Sequence, residues 1–204
     1  MRAPRLRERR RISCAANQPP AQQVETYRAA LHGDVGRLCV VAVDGFGGAG
    51  KTTLAAELSV ALQAQTVHTD DFASWEEPLE WWPRLIDQVL HPLTNGQTAR
   101  FQRYDWERKE LGEWKEVRPR GFVILEGVSS SRDEFRPFLD FSIWVETPGG
   151  ERLRRGLVRD GEDARAQWEQ WMEQEEEWAD RQHPKDHTDV IVSGTSHPDR
   201  AQTC

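Results

Sequence analysis

The feature that most constrains this chain is a glycine-rich segment, VVAVDGFGGAGKTT, at residues 40 to 53. Glycine loses more conformational freedom on folding than any other residue, so such a segment is expected only where the backbone must take an unusual path. The β-branched run at residues 38 to 43 predicts a buried strand, and KTTLAAELSVALQ after the glycines predicts a helix. The segment is therefore predicted to be a turn that joins a strand to a helix.

Residues 45 to 52, GFGGAGKT, fit the pattern G-x-x-x-x-G-K-[ST] of the P-loop in the strand and helix context that this motif requires. Its backbone N–H groups can point toward a phosphate, and the helix N-terminus adds partial positive charge. Lys51 is placed to reach the β- and γ-phosphates, and the Thr52 hydroxyl to bind Mg²⁺, whereas a purely structural turn would need neither side chain. We therefore predict ATP and Mg²⁺ as ligands. The predicted ATP-binding residues of the loop are Gly45, Phe46, Gly47, Gly48, Ala49, Gly50, Lys51, Thr52 and Thr53.

The rest of the chain predicts a single α/β domain, because 204 residues allow one sizeable core but are few for two domains. Four further strand candidates are TVHT at residues 66 to 69, GFVILEG at 121 to 127, FSIWVET at 141 to 147 and DVIVSG at 189 to 194. Helical stretches separate most of them. This alternation predicts a doubly wound parallel sheet of about five strands, with helices on both faces and ligands at the carboxyl ends of the strands.

The predicted helices have different sequence patterns. Besides the helix after the glycines, they lie at residues 24 to 33, 78 to 93, 151 to 160 and 164 to 182. In the last of these, Trp168, Trp171 and Trp178 have helical spacing among many glutamates, which favours an amphipathic helix with a solvated charged face over an acidic partner-binding patch. Residues 97 to 118 instead contain period-two stretches and predict a hairpin beside the sheet.

The N-terminus is strongly basic, although the whole chain has a net charge of −7. MRAPRLRERRR could be a nucleic-acid or membrane arm, an Arg-rich targeting peptide or a disordered tail. We expect residues 1 to 21 to be a disordered tail and residues 22 to 204 to form the single domain, because NQPPAQQ is typical of a linker. Three scattered cysteines and the absence of a long apolar run lead us to expect a cytoplasmic protein with no membrane partner.

Acidic residues follow two of the predicted strands. Asp70 and Asp71 come after the second strand, where a carboxylate could accept the proton of an attacking hydroxyl or could cap the following turn. We predict catalysis for Asp70 and leave both roles open for Asp71. Glu126 ends the third core strand, where it could hold Mg²⁺ through water together with Thr52.

A basic helix follows the fourth strand, and with the residues after it, about 150 to 170, it is predicted to form a lid. Its arginines are Arg152, Arg154, Arg155 and Arg159. They could stabilise the charge that develops on a transferred phosphoryl group, or form an exposed face paired with nearby glutamates. We predict a catalytic role for Arg155 and Arg159 beside Lys51, and ATP binding for Arg152.

Taken in order, GFGGAGKTT, TDDF, VLHPLTNG, YDW, VILEGV, RLRRGLVRD and DVIVSG resemble the uridine/cytidine kinase family of P-loop kinases, a branch that includes phosphoribulokinase. The resemblance covers residues 38 to 194. It implies ATP- and Mg²⁺-dependent transfer of the γ-phosphoryl group to a hydroxyl. It also implies that Asp70 is the general base toward a ribose 5′-hydroxyl, that Tyr104 packs on the pyrimidine, and that Glu126 lies near Mg²⁺. The arginines that match the family's ATP-closing lid are Arg152, Arg155 and Arg159.

The chain departs from this family on the acceptor side. The family's histidine after YDF, which reads the pyrimidine edge, is absent, and YDWERKE has Arg108 and Lys109 instead. The segment after Phe72 is shorter, so Glu77 or Glu80 could take the place of a ribose-binding aspartate. Several tryptophans could form a stacking pocket or belong to the core: Trp75, Trp81, Trp82, Trp106 and Trp114. The predicted acceptor-binding residues are Asp70, Glu80, Tyr104, Trp106 and Lys109.

Three functional interpretations therefore remain. The first is a kinase that takes a nucleoside such as uridine or cytidine and a nucleoside triphosphate donor. The second is a kinase of an antibiotic, a pantothenate-like compound or a sugar-like compound. The third is a nucleotide-binding regulatory module or nucleic-acid-linked ATPase that uses the basic N-terminal arm; we expect no nucleic-acid partner, because the core has no basic stripe with interleaved aromatic residues. A homo-oligomer is compatible with each interpretation.

Overall fold

A computed structural model of the chain describes residues 37 to 74 and 79 to 195. Seven strands occur in these ranges: β1 (Cys39–Asp44), β2 (Gln65–His68), β3 (Ala99–Asp105), β4 (Glu110–Val117), β5 (Phe122–Glu126), β6 (Phe141–Glu146) and β7 (Val190–Ser193). Five of them form one parallel sheet in the order β2-β5-β1-β6-β7. The predicted doubly wound parallel sheet of about five strands is confirmed.

The helices are α1 (Lys51–Leu62), α2 (Trp82–Leu85), α3 (His91–Thr94), α4 (Gly149–Asp160) and α5 (Arg165–Gln182). A π-helical segment, Ile86–Leu90, joins α2 to α3 without a break, so the helix predicted at residues 78 to 93 runs from Trp82 to Thr94 in the structure. Pro92 has no N–H to donate to the preceding turn, which accounts for the irregular hydrogen-bonding just before it. Short 3₁₀ turns lie at Thr69–Asp71, Arg136–Phe138, Glu162–Ala164 and Pro184–His187.

The parallel sheet separates two apolar cores. Successive residues of β1 point to opposite faces, so Val41 and Val43 pack in the core that contains Leu58 of α1, whereas Val40 packs in the core that contains Leu85 of α2. A strand that is buried on both faces needs an almost continuous apolar sequence, and every residue of β1 is buried. This requirement explains why the central strands could be recognised from composition alone.

The predicted hairpin is formed by β3 and β4, which pair antiparallel in a sheet of their own. Phe101 and Val117 pack from it into the second core, whereas most of β4 is exposed. Its turn is closed by Asp105, whose Oδ1 accepts hydrogen bonds from the N–H groups of Glu107 and Arg108 at 3.1 and 3.0 Å. Because Phe101 shares the second core with Val67 of β2, the hairpin lies beside that strand.

Some sequence-based predictions fall outside the described residues. These are the basic tail, the leading helix at residues 24 to 33, and Trp75 and Glu77. None of the helices within residues 37 to 74 and 79 to 195 is long and apolar enough to cross a membrane.

Candidate active site

The candidate site lies where the carboxyl ends of β2, β5 and β1 meet. Val43 of β1 is paired with Glu126 of β5, and Glu126 is paired with His68 of β2. The P-loop follows β1, and Asp70 lies two residues beyond the end of β2. Neighbouring parallel strands therefore bring the predicted phosphate-binding loop, metal ligand and general base to one edge of the sheet.

The P-loop backbone follows a path that only glycine can take at two positions. Gly45 has a φ of 144° and Gly48 a φ of 73°. A Cβ atom at Gly45 would lie 2.5 Å from the carbonyl oxygen of Val145, and one at Gly48 would lie 2.6 Å from that of Arg152. Both the dihedral angle and the available space therefore require glycine there.

A buried aspartate holds the start of the loop. Asp44 accepts a hydrogen bond from the Gly45 N–H at 2.7 Å, and it accepts two more from the N–H and Oγ of Ser131 at 2.7 and 2.6 Å. Burial raises the pKa of Asp44, and these hydrogen bonds oppose that increase. No local pattern points to Ser131, because 87 residues separate it from Asp44 along the chain.

Lys51 is a buried cation of the site. Its Nζ donates a hydrogen bond to the carbonyl oxygen of Phe46 at 2.9 Å, which closes the loop on itself. The charge of Lys51 favours the ionised form of four nearby carboxyl groups, although burial raises the pKa of all but Glu126 overall: Asp44, Asp70, Glu126 and Glu175. Thr53, the last of the residues predicted to bind ATP in the loop, is exposed on the first turn of α1.

Thr52 and Glu126 are in direct contact. The Thr52 hydroxyl donates to Glu126 Oε1 at 3.1 Å, and His68 Nδ1 lies 2.6 Å from Glu126 Oε2. Burial alone would raise the pKa of Glu126, but the hydrogen bond from His68 and the charge of Lys51 lower it overall, so the group is ionised at neutral pH. A hydroxyl and an ionised carboxylate side by side are hard oxygen donors of the kind that Mg²⁺ prefers, and kinases often complete such sites with substrate phosphates. These residues therefore fit the metal.

Asp70 lies in the 3₁₀ turn after β2 and reaches solvent. The surrounding protein raises the pKa of its carboxyl, whereas the charges of Lys51 and Arg159 oppose that increase. Asp71, the next residue, lies beside the hairpin: its Oδ1 is 3.9 Å from Arg103 Nε. The two adjacent aspartates thus have different surroundings, and Asp70 is the one that the P-loop lysine influences most.

The hairpin brings two of the predicted acceptor-binding residues to Asp70. Trp106 Nε1 donates to the carbonyl oxygen of Asp70 at 3.2 Å, and the rings of Trp106 and Tyr104 meet edge to face with centroids 5.2 Å apart. Tyr104 is buried and Trp106 is half-buried. The other two, Lys109 and Glu80, are exposed and have local contacts: the Lys109 N–H donates to Asp105 within the hairpin turn, and Glu80 accepts from Trp82 Nε1.

The three lid arginines differ in their contacts. Arg152 is buried with its guanidinium 4.5 Å from the ring centroid of Phe46. Arg155 donates to the carbonyl oxygens of Gly48 at 3.4 Å and Gly194 at 3.1 Å. Arg159 forms two 2.8 Å hydrogen bonds with Asp160. The structure thus brings Arg152 and Arg155 against the P-loop, while Arg159 lies close enough to Asp70 for its charge to affect that carboxyl.

Glu175 is a site residue that the sequence-based prediction missed. The glutamates of α5 are predicted to form a solvated face, yet Glu175 is buried and both of its oxygens accept from the Gly47 N–H, at 3.1 and 2.9 Å. A signal was present in the sequence, because Glu175 follows Trp168 by seven residues and precedes Trp178 by three. It therefore shares the apolar face that buries both tryptophans.

Known proteins resemble the chain in sequence and in fold, although no family model matches it. A uridine kinase from Halalkalibacterium halodurans is 30% identical over 143 residues, which cover 61% of this chain and 68% of that protein. A uridine kinase from Halobacterium salinarum is 28% identical over 138 residues, which cover 59% of this chain and 61% of that protein.

Two solved structures share the fold. A candidate uridine kinase from Bacillus stearothermophilus has a TM-score of 0.62 and 21% identity over 84% of this chain and 98% of that chain. A candidate fructose transport system kinase from Silicibacter sp. TM1040 has a TM-score of 0.60 and 22% identity over 85% of this chain and 98% of that chain.

Proposed function

Because the chain belongs to the uridine kinase family of P-loop kinases, we propose that it transfers the γ-phosphoryl group of ATP to a hydroxyl of a small molecule, most readily a uridine-like nucleoside. The observation that carries this proposal is the meeting of Lys51, the Thr52–Glu126 pair and Asp70 at one edge of the sheet. A phosphoryl-transfer site needs a cradle for the donor phosphates, oxygen ligands for a metal and a base for the acceptor, and these residues can supply all three.

On the donor side, the loop amides and Lys51 bind and orient the triphosphate. Lys51 is held beside the loop by the Phe46 carbonyl oxygen, so its charge is available at the start of α1. Arg152 and Arg155 pack against the same loop and can add positive charge as negative charge develops on the transferring group. Mg²⁺, held by Thr52 and Glu126, would supply charge neutralisation for the β- and γ-phosphates when bound.

On the acceptor side, Asp70 accepts the proton of the attacking hydroxyl. Its carboxyl is at the open edge of the site, and Lys51 and Arg159 favour the ionised form that a base requires. Most of the rate acceleration then comes from position and electrostatics rather than from covalent chemistry.

The first prediction concerns Asp70→Asn. The amide keeps the shape of the side chain but cannot accept the proton, so ATP affinity should stay near normal while phosphoryl transfer falls by about two to four orders of magnitude. ATP binding is measured by calorimetry and transfer by product formation. Asp71→Asn is the matched control, because Asp71 lies in the same turn but next to Arg103, and a far smaller loss is expected. Unchanged turnover in Asp70→Asn would remove Asp70 from the role of base.

A second candidate is a kinase of a non-nucleoside acceptor, such as an antibiotic, a pantothenate-like or a sugar-like compound. The burial of Tyr104 favours it, because the exposed aromatic surface beside Asp70 belongs to Trp106. The assay of the Asp70 variants is therefore run with uridine, cytidine, pantothenate and a panel of sugars. Strong activity on uridine or cytidine would reject the second candidate, and activity confined to another acceptor would reject the first.

A further inference from the structure

Glu175 places a carboxylate on the phosphate-binding loop itself. Its two oxygens accept from the Gly47 N–H at 3.1 and 2.9 Å, although the residues are 128 positions apart. Glu175 also pairs with Arg152, whose NH1 lies 3.5 Å from Glu175 Oε2. Three features that a phosphate would use, an N–H of the loop, a buried arginine and the charge of Lys51, are thus directed at this carboxylate.

The chemistry of this contact is that of an anion site. Backbone N–H groups of a P-loop and a neighbouring arginine recognise negatively charged oxygens, whether a carboxylate or a phosphate carries them. Burial raises the pKa of Glu175 overall, whereas the charge of Lys51, the Gly47 N–H and the Arg152 guanidinium each favour its ionised form. A nucleotide phosphate bound in the loop can accept a hydrogen bond from the same N–H group.

We propose that Glu175 is a competitor of the donor phosphates: it occupies the Gly47 amide in the nucleotide-free chain and leaves it when the polyphosphate binds. This inference rests on the proposed donor site. When Glu175 leaves, Arg152 loses this partner and pairs with the incoming phosphate, so the cation remains neutralised in both states. The exchange couples nucleotide binding to a displacement of α5 from the loop.

Such competition lowers the apparent affinity for the donor, because only the fraction of molecules with a vacated amide can bind it fully. Glu175→Gln is expected to tighten ATP binding by about three- to thirtyfold, since a neutral amide accepts a weaker hydrogen bond than a carboxylate does. Glu175→Ala should also tighten ATP binding. Binding of the Mg²⁺ complex of a non-hydrolysable ATP analogue is measured by calorimetry on the full chain, after thermal melting has shown that each variant is folded.

Two neighbouring glutamates provide controls. Glu177→Gln removes the same charge from an exposed position of α5 and should leave the affinity unchanged. Glu176→Gln removes the outer partner of Arg152, 3.4 Å from its NH2, without touching the loop contact. The Gly47 N–H resonance in ¹⁵N NMR should move in the nucleotide-free Glu175 variants and not in the other two.

Weaker or unchanged analogue binding in both folded Glu175 variants would overturn the inference and assign Glu175 a supporting role in the loop. That outcome is distinguishable from a failure of the proposed function, in which the wild-type chain would bind no nucleotide or phosphorylate no acceptor.

Discussion

Both carboxylate oxygens of Glu126 are occupied by neighbouring side chains, one by Thr52 and the other by His68. The hydrogen bond to Glu126 raises the pKa of His68, and burial opposes this. The pair therefore consists of a cation and an anion over a range of pH that extends above the usual titration of histidine. His68 thereby helps to orient Glu126, the predicted metal ligand.

This pair predicts a pH dependence of stability that His68→Asn should remove. A pKa that is raised on folding contributes stability that is fully present below the unfolded value, about 6.5, and is lost as the pH rises through the folded value. The pKa of Glu126 is lowered on folding, so the stability that the pair contributes is lost as the pH falls below the usual value of 4.5 toward the folded value. Because His68 is partly exposed, the difference in melting temperature between wild type and variant should be only about 1 to 3 °C near pH 6. It should shrink toward pH 9, because His68 loses its charge there.

Thermal melts across pH 4 to 9 measure this difference. In a Glu126→Gln background the His68 substitution should lose its pH dependence, because the neutral amide no longer favours the imidazolium. A difference in melting temperature that grows as the pH rises would have the opposite sign and would contradict the prediction.

At the scale of secondary-structure elements, α4 and α5 contact each other through a glycine. A Cβ atom at Gly156 would overlap the indole ring of Trp168, which is buried and donates from Nε1 to Asp160 at 2.9 Å. Arg159 also lies over this ring, 5.5 Å from its centroid. The close approach of the two helices thus puts the Trp168 ring beside Arg159, one of the arginines of the predicted lid.

This contact predicts the effect of Gly156→Ala. Alanine normally stabilises a helix interior relative to glycine, but here the added methyl group should lower the free energy of unfolding by about 1 to 3 kcal/mol because it overpacks the contact. Gly150→Ala in the same helix has no atom within 4 Å of the added Cβ and should be neutral or stabilising. Chemical denaturation measures the free energy of unfolding of both variants. A Gly156→Ala variant that is more stable than wild type would contradict the prediction and show that the two helices can move apart without cost.

At the scale of the whole molecule, the hairpin is connected to the parallel sheet at the candidate active site. The hydrogen bond from Trp106 Nε1 to Asp70 joins β3–β4 to the end of β2, while Phe101 fixes the hairpin in the second core. The groups proposed to bind donor and acceptor are thus carried by different parts of the fold, the P-loop by β1 and α1 and the aromatic pair by the hairpin.

Trp106→Phe should weaken acceptor binding without changing donor binding. It retains an aromatic ring but removes the donor to Asp70, so we expect the KM of the acceptor to rise about three- to tenfold while ATP affinity is unchanged. Steady-state kinetics with varied acceptor, together with ATP titration, measure the two quantities. An equal loss of ATP affinity would mean that the hairpin supports the donor site instead.

The sequence by itself determined the P-loop, the strand and helix order and the hairpin, because their signals are local: glycine dihedrals, continuous apolar strands and repeating spacing. It also predicted Asp70 and Glu126 as site residues, because Glu126 ends β5 and Asp70 follows β2 by two residues at the carboxyl edge of the sheet. Only the tertiary structure decided that Ser131 holds Asp44, that His68 contacts Glu126 and that Glu175 lies on Gly47. Those contacts join residues 58 to 128 positions apart, and the packing of strands and helices, which no local pattern records, brings them together.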